Sequence, residues 1–182
     1  MRITGEEWGA MKAAATYGDA QLPIYVKDDG TYMTQSMAIL RSLAMEHGYG
    51  CESADVMFET EWFFSMLYDT FEKPERFAIL KDAATEEDMD KCIALFEAVL
   101  DKLEARWADG RTSVGKSEGK TAADFCWLSL MTSHFENAGL KHQKIVAACA
   151  AKVAACPNII RITAPMKDLC RATIDAMASS II

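Results

Sequence analysis

From Ser53 onward the apolar residues of this chain recur at three- and four-residue spacing and no alternating run occurs. That part of the sequence therefore has to be built from helices packed on one another. Val56, Phe63, Met66 and Leu67 fall on one face of a helix that stops before Pro74, although Glu59 and Thr60 interrupt the stripe. Thr85 followed by Asp88 makes a helix cap, and Ile93, Phe96, Leu100, Leu103 and Trp107 form the buried stripe of a helix ending at Gly110. Thr121-Ala122-Ala123-Asp124 repeats the cap signature ahead of Phe125, Leu128 and Met131, in a helix that closes near Gly139. Lys144 to Ala155 is alanine-rich and halted by Pro157, and two shorter helical pieces, about 158–162 and 165–178, complete the chain.

The first fifty residues have a different texture. Residues 23–34 read as a hairpin around the turn Lys27-Asp28-Asp29-Gly30, with the Asp-Gly pair supplying the positive dihedrals. Ser36 then caps a helix carrying Met37, Leu40, Leu43 and Ala44, which packs on the hairpin and is closed by Gly48. The seam at Gly48-Tyr49-Gly50 divides a mixed domain, 1–48, from an all-helical domain, 51–182, and the fold class is α+β.

Composition narrows the partners. A chain of 182 residues that is 51% hydrophobic can bury a real core, and a net charge of -8 argues against gripping nucleic acid or anionic lipid. The longest uncharged stretches, 30–40 and 125–135, are too short to span a bilayer, and the opening MRITGEEW has no apolar signal region. The expectation is a cytoplasmic protein without membrane insertion. The six cysteines lack a CxxC pair and read as reduced core residues, with Cys149 and Cys156 on one helix about two turns apart, too far for a disulfide. His47, His134 and His142 are scattered and read as surface or capping residues, so no metal site is expected.

Gly110-Arg111-Thr112-Ser113-Val114-Gly115-Lys116-Ser117 satisfies the P-loop expression GxxxxGK[ST], which would cradle phosphate on backbone amides. Its context is wrong. The preceding LDKLEARWADG has helical rather than strand periodicity, the next helix begins only near Thr121, and no later strand ends in a magnesium-holding Asp. The segment reads as a solvated loop between helices.

Gln21-Leu22-Pro23, followed after the hairpin by Gln35-Ser36-Met37-Ala38-Ile39-Leu40-Arg41, resembles the glutathione transferase family, closest to its sigma, mu and pi-like members. The resemblance implies a cis proline at Pro23, with the backbone of Leu22 facing the ligand, and a Gln35-Ser36 pair opening the third helix of a thioredoxin-like domain. The physics of that pair is independent of the family. Ser36 at a helix N-terminus offers a hydroxyl, free amides and the positive dipole end to a carboxylate such as the γ-glutamyl carboxylate of glutathione. Trp8 and Lys12 match a family pair that holds the glycine carboxylate through an indole N–H and an ammonium. Val114-Gly115 with Thr121-Ala122-Ala123-Asp124-Phe125 looks like the capped helix of the family's all-helical domain, and Cys156-Pro157-Asn158-Ile159 resembles the start of its late helix.

The chain also departs from that pattern. Arg2-Ile3-Thr4 matches the family's second strand, so the strand and helix that carry the thiol-activating Tyr, Ser or Cys have no counterpart here, and Tyr17, Tyr25 and Tyr32 do not sit at that position. The expected fold is thus a truncated thioredoxin-like domain followed by a helical transferase domain, with no catalytic residue assigned. Where the family often places an acid that reaches the partner subunit's glutathione, this chain has Lys73, with Glu72 as an imperfect substitute. Two functions follow: a glutathione transferase-like protein that binds glutathione as co-substrate and, if the missing N-terminal segment exists, joins its thiol to small electrophiles, or a non-catalytic structural or interaction subunit of a larger assembly. The resemblance further implies a homodimer or another protein partner, which the Trp62-Phe63-Phe64 run supports, since three successive large apolar residues cannot all face one core.

Overall fold

The computed structural model describes residues 4–18, 21–81 and 83–171. The chain divides into two units, Met1–Gly50 and Cys51–Ile182. It is mostly helical with one small antiparallel sheet, which is the α+β class.

In the first unit Thr4 is the N-cap of helix α1 (Gly5–Ala13). Its side chain accepts from the Glu7 amide while Glu7 Oε2 accepts from the Thr4 amide at 2.6 Å, a capping box that starts the helix at the residue where the expected strand ends. Arg2 and Ile3 lie outside the described residues. The hairpin forms as β1 (Tyr25–Val26) and β2 (Tyr32–Met33), in the register Tyr25 to Met33 and Val26 to Tyr32. Of the Asp-Gly pair only Gly30 adopts a positive φ, +84°. Asp29 works through its carboxylate, which accepts from the Thr31 amide and hydroxyl at 2.9 and 2.6 Å. Helix α2 (Ser36–Glu46) follows, and Gly48 at φ +80° turns the chain beyond it. These two strands are the whole sheet among the described residues.

The second unit is helical, as the spacing predicts. Helix α3 (Ala54–Phe71) is capped by Ser53, whose Oγ accepts from the Val56 amide at 3.2 Å. A 3₁₀ segment (Pro74–Leu80) leads to α4 (Glu86–Arg106), where Thr85 and Asp88 form the expected capping box. The buried stripe of α4 is Met89, Cys92, Phe96, Val99, Leu100 and Leu103, so Ile93 flanks it rather than belonging to it. Thr121 and Asp124 cap α5 (Ala122–Leu130), which runs into a π-helical turn (Met131–Phe135). Helices α6 (Gln143–Ala154) and α7 (Pro157–Leu169) complete the described chain. Helix α7 is continuous through Pro165, which corrects the two-piece expectation. The ring removes one amide bond, and the buried Ile162, Thr163 and Met166 hold the turn around it. The stretch expected to reach residue 178 lies beyond 171, outside the described residues.

Phe63, Phe96, Trp107, Trp127 and Phe135 form the fully buried centre of this unit, with Trp107 and Trp127 edge to face at 5.3 Å. Phe63 and Phe64 are both buried here. Trp62 is half-buried, with Arg106 and Lys102 over its ring at 4.4 and 5.4 Å from the centroid. The third aromatic of the run is therefore covered in part by cations of its own chain.

Three thiols, Cys92, Cys149 and Cys156, are buried, while Cys51, Cys126 and Cys170 are half-buried. Burial pushes the Cys92 and Cys149 thiols up to about 11 and about 12, which keeps them protonated and inert. Cys156 is the N-cap of α7, not a member of the Cys149 helix as the spacing suggests. No single described helix is long and apolar enough to cross a membrane. Helices α6 and α7 pass only as a pair, bent by 104°.

Candidate functional site

A cavity of about 430 Å³ opens in the first unit at the N-terminus of α2. Leu22, Pro23, Gln35 and Ser36, four residues drawn from two separate segments of sequence, line it together. The Leu22–Pro23 peptide bond is cis. Gln35, not Ser36, is the N-cap residue, and Ser36 is the first residue of the helix. Gln35 adopts φ +70°, ψ +105°, a conformation that costs a non-glycine residue about 1–3 kcal/mol. Its carbonyl accepts from the Ile39 amide at 2.9 Å, and its side chain makes no capping bond. The hydroxyl of Ser36 and the first amides of α2 have no acceptor among the described residues, so the start of the helix, where Gln35 and Ser36 line the cavity, leaves its donors and positive dipole end unspent. An anion with hydrogen-bond acceptors is the group such a surface holds.

The remaining wall comes from Gln21, Thr34, Tyr17 and Tyr32. Gln21 belongs to the sequence motif, whereas Thr34 and the two tyrosines lie outside it. One signal for them exists: Tyr32 and Thr34 alternate on the same face of the second strand and its extension, which leads directly to Gln35–Ser36. Tyr17 has no such signal. It reaches the cavity because Ala15 at φ +50° and Gly18 at φ +63° fold the chain back after α1.

The other site candidates lie elsewhere. Trp8 and Lys12 face each other one turn apart on α1, with Lys12 Nζ 5.8 Å from the indole ring centroid, and neither lines the cavity. Glu72 is the exposed C-cap residue of α3 in the second unit. Among the described residues no group of His, Cys, Asp or Glu is arranged to hold a metal ion.

The P-loop expression falls on a segment that is packed, not solvated. Ser113, Val114 and Ser117 are buried, and the side chain of Arg111 is only 4% exposed. Ser113 Oγ accepts from the Ser117 amide and donates to the Ser117 carbonyl, both at 2.8 Å, while the Val114 amide donates to Asp124 Oδ1 at 2.9 Å. Ser117 Oγ donates to Glu52 at 2.8 Å. The groups that would cradle a phosphate are thus committed to the protein's own acceptors, and no strand precedes them. Arg111 clasps Asp109 through two bonds of 2.9 Å and shares Glu59 with Arg106. Burial pushes Glu59 up, but the bonds from Arg111 and Arg106 outweigh it and leave its carboxyl below the usual range. The Arg111 guanidinium holds Asp109 well below that range. Burial raises the fully enclosed Asp124 even though the Thr121 and Val114 amides donate to it. This network fastens α3, the loop and α5 together. Gly115 sits at its tightest point, where a Cβ would meet Thr60 Oγ1 at 2.6 Å.

No protein-family profile, curated protein or solved structure matches the chain. The glutathione transferase resemblance accordingly rests on the quoted residues alone.

Proposed function

We propose that this protein binds glutathione in the cavity at the start of α2, as a glutathione transferase-like protein. What carries the reading is the convergence of Leu22, Pro23, Gln35 and Ser36 on one cavity whose helix-terminal donors are unspent. The γ-glutamyl carboxylate takes the Ser36 hydroxyl and the first amides of α2, and the Gln35 side chain is free to donate to the same end of the ligand. The peptide backbone of the tripeptide runs along Leu22–Pro23. Conjugation of the thiol to an electrophile would need a further donor beside the sulfur, because a thiol of pKa about 8.5 is only a few per cent ionised at neutral pH. The reading therefore begins with binding.

Calorimetric titration tests it. Glutathione binds the wild type, and the Gln35→Ala, Ser36→Ala double variant loses about 1.5 to 3 kcal/mol, the worth of a charge-assisted hydrogen bond. Equal affinities for the two proteins contradict the site.

A further inference from the structure

Tyr17 and Tyr32 line the same cavity. Their rings meet edge to face, with centroids 5.3 Å apart and planes inclined at 71°. Two rings nearly at right angles form a corner, and the π faces bounding a corner carry the negative side of the ring quadrupole. An ammonium within about 6 Å of such ring centroids is attracted to them. The corner is set in place by its backbone. Val26 pairs with Tyr32 in the hairpin, and the turn through Gly18 comes within ordinary van der Waals contact of the Tyr32 hydroxyl, 3.8 Å from where a Cβ would sit. Among the described residues lining the cavity none is charged. The wall thus combines helix-terminal donors that suit a carboxylate with aromatic faces that suit a cation.

We propose that Tyr17 and Tyr32 are specificity-determining residues that hold the α-ammonium of the ligand while the start of α2 holds the adjacent carboxylate. The cavity then selects γ-glutamyl compounds, and α-amino-acid ends generally, over carboxylates without the amine. This inference rests on the glutathione reading and adds the group that reads the amine.

The test compares glutathione with its desamino analogue, glutaryl-cysteinyl-glycine, by calorimetry on the full chain. The wild type prefers glutathione by about two- to thirty-fold, the range a cation–π contact supplies. The Tyr17→Leu, Tyr32→Leu variant, checked for unchanged circular dichroism, binds both compounds alike. The Tyr17→Phe, Tyr32→Phe variant keeps the preference, because the ring faces remain while the hydroxyls are gone. Equal binding of both compounds by the wild type overturns this inference and leaves the glutathione reading standing. A preference that survives in the leucine variant, or that is lost in the phenylalanine variant, also overturns it. Absence of binding to either compound removes the glutathione reading and this inference together.

Discussion

His134 shows what burial does to a residue whose role its spacing conceals. It sits in the π-helical turn with its ring 6.3 Å from that of Phe71 and 6.4 Å from that of Phe96, and Ser133 Oγ lies 2.7 Å from its Nδ1. Burial, and then the charge of Arg76, lower its pKa. The unfolded chain, with a histidine near 6.5, therefore binds more protons than the folded one between the depressed value and 6.5. Stability is present above pH 6.5 and falls as the pH drops through that window, with a slope of at most about 1.4 kcal/mol per pH unit from this group. Urea denaturation at pH 7 and pH 5 for the wild type and His134→Phe checks this. The variant loses part of the difference, and an identical pH dependence in both proteins contradicts it. Spacing alone reads this histidine as a surface or capping residue, because its neighbours Phe71 and Phe96 come from distant segments. Ser36 and Gln35 were legible for the opposite reason, since a helix start is a local signal that needs no tertiary partner. Tyr17 was not, because the positive dihedrals that turn it inward include one at Ala15, where composition gives no hint.

At the scale of elements, what could be read was punctuation. The capping boxes at Thr85–Asp88 and Thr121–Asp124 stand where their spacing puts them, and Pro157 opens α7. The same rule applied to Thr4–Glu7 would have found α1. The 3₁₀ segment after Pro74 and the π-turn after α5 carry no sequence signal, since packing against α4 and α6 decides them. One cap is tertiary. Glu104 on α4 accepts from the amides of Asn158 and Ile159 at 3.1 and 3.0 Å and from Asn158 Nδ2 at 2.7 Å, so a carboxylate from one helix closes the N-terminus of another. Arg161, which donates to the Trp107 carbonyl at 2.6 Å, fastens the same corner. Glu104→Ala is expected to lower stability by about 1–2 kcal/mol, with Glu104→Asp recovering part of it. Thermal denaturation reads this, and a melting temperature unchanged by Glu104→Ala contradicts the tertiary cap.

At the scale of the whole molecule the two units differ in how much they bury. Among the described apolar residues of the first unit only Ile39 and Ala44 are buried, while Leu22, Val26, Tyr32, Met45 and Tyr49 are exposed. A two-stranded hairpin with so small a core is marginal by itself, whereas the second unit has five large aromatics at its centre. Hydrogen exchange should accordingly release the Lys27 and Tyr25–Met33 hairpin amides well before those of α4, and glutathione should slow the hairpin amides selectively. Equal protection of hairpin and α4 in the free protein contradicts this ranking. The division into a mixed and a helical part was readable from periodicity, because the change from period two to period 3.6 is a property of the sequence itself. Which side chains share the cavity was readable only in part, since that depends on how the turns at 15–18 and 27–30 aim the segments. The central claim, that the cavity at the start of α2 receives glutathione, is tested most directly by titrating the isotope-labelled protein with glutathione and following its amide signals by heteronuclear NMR. The largest saturable shifts are expected on Gln35, Ser36, Met37 and Ala38, with the Gln35 side-chain amide and residues 21–23 moving in parallel. Shifts confined to the Cys51–Ile182 unit, or none at millimolar glutathione, contradict it.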